Sequence, residues 1–148
     1  MATAASRPTP MHLWIVGILS LLWNAFGACD YTMTEMGNLA WFQMMGLGAD
    51  ELAWAQSFPA WAVAAWAVGV WGSVAGSILL LFRSRHAATA FLVSILGALA
   101  SFAYQLIAAD KPASMEGGAA LVMPVVIMIL IVLQWYYARR QVAAGVLR

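Results

Sequence analysis

Four stretches of the chain, residues 13–29, 59–82, 87–109 and 119–138, contain no Asp, Glu, Lys, Arg or His. They are 17 to 24 residues long. A helix rising about 1.5 Å per residue over that length crosses a hydrocarbon core of roughly 30 Å. Inside lipid the backbone must satisfy its own hydrogen bonds, and unbroken apolar runs of this length do so as helices. With 64% apolar and 9% charged residues in 148, too little charge remains to cover a water-soluble surface. The expected class is an all-α membrane protein: one four-helix transmembrane bundle over residues 1–148. Its helices are expected at about 11–29, 59–82, 87–109 and 119–138, with short amphipathic helices in the outer connection 30–58.

The charges between these runs fix an expected orientation. Arg7 precedes the first run, Arg83 and Arg85 join the second to the third, and Arg139, Arg140 and Arg148 follow the fourth. Asp30, Glu35, Asp50 and Glu51 lie between the first two runs, and Asp110, Lys111 and Glu116 between the last two. The net charge of +1 thus separates into +6 on one side and −5 on the other. Arginine and lysine accumulate on the cytoplasmic side of membrane proteins, so both termini and the Arg83–Arg85 turn are placed inside. There Arg83, Arg85, Arg139 and Arg140 are positioned to anchor on lipid phosphates, the last two beside Gln134, Trp135, Tyr136 and Tyr137. The lone Cys29 has no partner for an internal disulfide. Residues 26–29 faintly resemble a lipoprotein cleavage box, but Phe26 stands where such boxes carry an aliphatic residue, and an uncleaved first helix is expected.

In the outer connection, Thr32 and Glu35 have the spacing of a capping box. Met33, Met36, Ala40, Met44 and Leu47 follow at intervals of three and four, which predicts one helical face. Gly46 and Gly48 should stop that helix, and Asp50 should cap a second short one. Within the spans, Gly69, Gly72, Ser73, Gly76 and Ser77 form overlapping stripes of small residues that permit close helix packing. Gly97, Ala98 and Ser101 offer a complementary surface on the third helix. Asn24 is a strongly polar side chain in the outer third of the first helix, and a buried amide costs free energy unless it is paired. Tyr104 and Gln105 near the outer end of the third helix are candidates to join it.

Chemistry beyond packing has few candidates. His12 and His86 both fall on the inner side, where adjacent helices would let them ligate a haem or part of a metal site, although no further Cys, Asp or Glu lies there to complete a zinc site. Met33, Met36 and Met44, with Met45, form a sulfur-rich patch of the kind that holds Cu(I). Interfacial packing explains the same methionines. No phosphate-binding glycine loop, no nucleophile beside a base and no spaced pair of catalytic acids is present, so no catalytic residue and no cofactor is expected. The few basic residues, confined to one membrane face, argue against nucleic acid as a partner.

Residues 22–31, 59–61 and 66–77 resemble a group of small four-helix bacterial inner-membrane proteins, some of which carry a sugar-transporter label. The resemblance covers most of the chain and implies a multi-pass protein of the bacterial inner membrane. It also singles out Asn24, Asp30 and Tyr31 as a shared polar cluster. No acid lies inside the four runs to couple transport to protons. The expected function is therefore a non-catalytic accessory, assembly or structural subunit that contacts lipid and membrane-protein partners or copies of itself. Small-solute or sugar-like transport is the alternative, and haem or copper binding a further one.

Overall fold

The computed structural model describes residues 9–148, so Arg7 and the rest of the expected inner tail before Thr9 lie outside the described residues. In chain order the elements are α1 (Met11–Glu35), α2 (Leu39–Met44), α3 (Ala49–Gln56), α4 (Ala60–Leu81), α5 (His86–Ile107), a 3-10 turn at Ala113–Met115, and α6 (Gly118–Ala143). The fold is all-α. Four of the helices, α1, α4, α5 and α6, are long and apolar enough to cross a membrane.

These four run alternately up and down, with α1 against α4, α4 against α5 and α5 against α6. The direction of each pair is visible in its contacts. Gly17 near the start of α1 abuts Leu81 at the end of α4, and Gly76 late in α4 abuts Phe91 early in α5. The arrangement puts Arg83, Arg85, Arg139 and Arg140 at one end, here the basic end, and Asp30, Glu35, Asp50, Glu51, Asp110 and Glu116 at the other, the acidic end.

The α4–α5 interface is the closest in the fold, because small residues face each other along it. Gly69 lies against Ala98, Gly72 against Ser94 and Gly76 against Phe91, while Gly97 sits over the backbone of Ala65 and Gly69. With so little side chain between them, the Ser94 hydroxyl reaches across and donates to the Gly69 carbonyl. The Ser77 hydroxyl and the Ser73 carbonyl, on the neighbouring face of the same helix, meet α1 instead.

Two segments run differently from the sequence expectation. First, α1 continues to Glu35 rather than ending near Cys29. Thr32 and Thr34 do not cap a new helix; their hydroxyls bond back to the carbonyls of Ala28 at 2.7 Å and Asp30 at 2.8 Å, which keeps them inside α1. The helix stops at Gly37, whose φ of +69° supplies the left-handed residue of a Schellman turn closed by Asn38 N–H donating to Met33 O at 2.9 Å. The methionine-bearing face is thereby split between the end of α1 and α2. Asn38 then caps α2, accepting from Trp41 N–H at 3.1 Å. In α3 it is Glu51 rather than Asp50 that reaches back, accepting from Gly48 N–H at 2.7 Å.

Second, α6 continues past residue 138 to Ala143 and the chain then folds back along the basic end. Arg148 N–H donates to Arg83 O and Arg85 N–H donates to Arg148 O, both at 2.9 Å. This return buries Val146 and Leu147 in a cluster with Leu13, Leu80, Ala87, Phe91 and Ala138. A smaller cluster of Ile95, Ala98 and Ile131 joins α5 to α6. The α4–α5 turn that the C-terminal return covers is held by Arg83 at φ 58°, with Ser84 N–H donating to Leu79 O at 2.8 Å.

Candidate functional site

A buried amide in an apolar bundle must find acceptors on its own helix or on its neighbours. Asn24 finds them on two neighbouring helices. Its Nδ2 lies 2.9 Å from Ser77 Oγ, 2.9 Å from Gln134 Oε1 and 3.2 Å from Ser73 O, so the two amide hydrogens are shared among three acceptors. Ser77 donates its own hydroxyl to Ser73 O at 3.0 Å, which leaves its oxygen lone pairs free to accept from Asn24. Ser73 in turn donates to Val70 O at 2.8 Å. Asn24, Ser73, Ser77 and Gln134 are all buried, and together they tie α1, α4 and α6 at one level.

The other residues expected near Asn24 have different neighbours. Asp30 accepts from Trp41 Nε1–H at 2.9 Å and so holds α2 to the end of α1. Tyr31 meets Trp66 edge-to-face with ring centroids 5.0 Å apart. Tyr104 stands between Phe58 and Trp61, at 5.1 and 5.2 Å, and Gln105 donates to Ser101 Oγ on its own helix at 3.2 Å. Asn24 therefore belongs with Ser73, Ser77 and Gln134, while Asp30, Tyr31 and Tyr104 belong to an aromatic cap at the acidic end.

That cap fixes α3 over the bundle. Trp54 packs on Phe58 at 4.9 Å and its Nε1–H donates to Ala109 O at 3.3 Å, while Gln56 Nε2–H donates to Thr34 O at 3.2 Å. Ser114 donates to Glu51, and this bond together with the one from Gly48 N–H holds the Glu51 carboxyl below the usual glutamate range. Beside this clasp lies an open cleft of about 610 Å³ whose walls include Asp50, Glu51, Trp54, Ser57 and Asp110.

At the basic end, His12 Nδ1 and the Tyr137 hydroxyl are 2.6 Å apart, which links the start of α1 to α6. His86 opens α5, its backbone N–H donating to Ser84 Oγ at 3.3 Å. Arg139 stacks over Trp135 at 5.2 Å and Arg140 over Tyr136 at 5.9 Å. Of the candidate soft ligands, Met33 accepts from Asn38 Nδ2–H through its sulfur at 3.4 Å, and Met36 and Met44 are exposed. Among the described residues no group of three or more His, Cys, Asp or Glu converges as a metal site.

Gln134 is the functional neighbour that sequence reasoning left out. The signal was present: it is the one amide in the apolar run 119–138, and it carries the same pairing requirement as Asn24. Its position beside Trp135, Tyr136 and Tyr137 made it resemble part of an interfacial belt instead. What the arrangement does chemically is to join helices: both hydrogens of the Asn24 amide are directed at acceptors on α4 and α6. Comparison of the chain with protein-family models, with curated proteins and with solved structures gave no match.

Proposed function

We propose that the chain is a bacterial inner-membrane protein with both ends of the bundle's polypeptide on the cytoplasmic side, acting as a non-catalytic accessory or assembly subunit of a membrane complex. The observation that carries this reading is the use of the Asn24 side-chain N–H groups and the Ser94 hydroxyl for bonds between helices. The Asn24 Nδ2–H groups, donors a solute pathway would need, are engaged by three acceptors. The glycines of α4 are similarly engaged by α5, which directs partner contacts elsewhere. Helix α6 supplies such a surface: 11% of its most apolar stretch is buried, against 28% to 33% for the other three spans. Leu121, Val122, Val125 and Ile129 are exposed along it. The arginines of the basic end support the inside orientation. On this reading α2 and α3 lie along the outer membrane surface.

Purification from native membranes in mild detergent, followed by mass measurement of the intact particle, tests the proposal. A stable complex with a second membrane polypeptide is the expected result, and substitution of Val125 and Ile129 by larger side chains should weaken it. Quantitative recovery as a free monomer would contradict it. Transport of a small polyhydroxylated solute is the second reading, favoured by the outer cleft, where the Trp54 ring lies beside the carboxylates of Asp50 and Asp110.

A further inference from the structure

Helices α1 and α6 are neighbours without close backbone packing, and two side-chain bonds bridge them: His12 to Tyr137 at the basic end and Asn24 to Gln134 deeper in the bundle. Between them runs a groove of about 710 Å³, open along its side. Leu19, Trp23, Leu130 and Leu133 make its walls apolar, and Arg140 and Gln141 stand at its basic end. Among the described residues no carboxylate lines it. From Leu130 to Gln141 the helix rises about 16 Å, close to half of a roughly 30 Å hydrocarbon core, so the groove has the depth of one leaflet.

Charge and depth together select the occupant. The groove is apolar over the depth of one leaflet, with a guanidinium and no carboxylate among its described lining residues, which suits an acyl chain under an anionic headgroup. The Arg140 guanidinium stacks on Tyr136, which leaves its N–H edge available to a phosphate at the level where headgroups lie. We propose that the α1–α6 groove holds one acyl chain of an anionic phospholipid, with the lipid phosphate on Arg140. The site depends on the four spans and not on the accessory role. It gives the open side of the bundle a third bridge between α1 and α6, made by lipid.

The test is intact-protein mass spectrometry after delipidation and re-addition of phosphatidylglycerol or phosphatidylcholine with identical acyl chains. One phosphatidylglycerol per chain should be retained in preference to phosphatidylcholine. Arg140→Gln should lower its occupancy about fivefold, the effect of one basic group near an anionic headgroup. Arg139→Gln, which removes the same charge from α6 outside the groove, should lower it less than twofold. Leu133→Trp, which fills the groove while facing its open side, should abolish retention of either lipid. Equal losses in the two arginine variants, equal retention of the two lipids, or undiminished retention in Leu133→Trp would each overturn the site. So would a second polypeptide seated between α1 and α6 in its place.

Discussion

Gly97→Leu should separate α4 from α5. A Cβ at this position would lie 2.6 Å from Gly69 N and 2.7 Å from Ala65 O. Both are backbone atoms of a helix, so no rotamer change relieves the clash and the helices themselves must move apart. Overpacking of this kind typically costs about 1 to 3 kcal/mol, and the upper end applies where the obstacle is backbone. Separation also breaks the Ser94 bond to Gly69 O and loosens the Gly72 and Gly76 contacts. Unfolding in mixed detergent micelles should therefore show a loss of at least about 3 kcal/mol for Gly97→Leu and a smaller one for Gly97→Ala. Gly27, with open space around its would-be Cβ, provides the matched control: Gly27→Leu should leave stability nearly unchanged.

Asn24→Leu should cost about 1 to 3 kcal/mol for a different reason. The side chain is similar in size, but Gln134 Oε1 loses its donor and remains buried in an apolar setting. Removing one partner of a buried pair is more costly than removing both, so the Asn24→Leu, Gln134→Leu double variant should recover part of the loss. A double-mutant cycle read by equilibrium unfolding measures this directly. Strictly additive losses would contradict a knot between α1 and α6. The same variants separate the two functional readings in reconstituted vesicles. If Asn24 serves transport, Asn24→Leu abolishes solute flux while stability is retained; if it serves packing, stability falls.

The four long apolar helices were legible because an uncharged run of this length has few other uses, and the alternation of basic and acidic connections matches their up-and-down arrangement. Their ends were less legible. Thr32 and Glu35 match a capping box as a pattern, but a threonine hydroxyl also bonds back to the carbonyl four residues earlier, and only the surrounding contacts decide between the two. Arg139 and Arg140 end an apolar run without ending a helix, since a helix persists into the headgroup region where its polar residues are solvated.

The small-residue stripe shows a second limit. Spacing along one helix identifies faces but not the neighbour each face will meet. Gly69, Gly72 and Gly76 proved to face α5, whereas the Ser77 hydroxyl and the Ser73 carbonyl meet α1. Asn24 announced a need for acceptors, yet whether Gln134 or Tyr104 would meet it depends on the order of helices around the bundle, which no local pattern contains. The return of Val146 and Leu147 against Leu13 and Leu80 is of the same kind. Two apolar residues after a pair of arginines carry no signal until the α4–α5 turn is beside them.

The most direct test of a four-span protein with its basic end in the cytoplasm is cysteine labelling in intact cells. In a Cys29→Ser background, single cysteines are introduced by Ser84→Cys between α4 and α5 and by Ala113→Cys between α5 and α6. A membrane-impermeant maleimide should label the Ala113→Cys variant in intact cells and the Ser84→Cys variant only after the membrane is opened. Labelling of both variants in intact cells, or of Ser84→Cys alone, would contradict the topology.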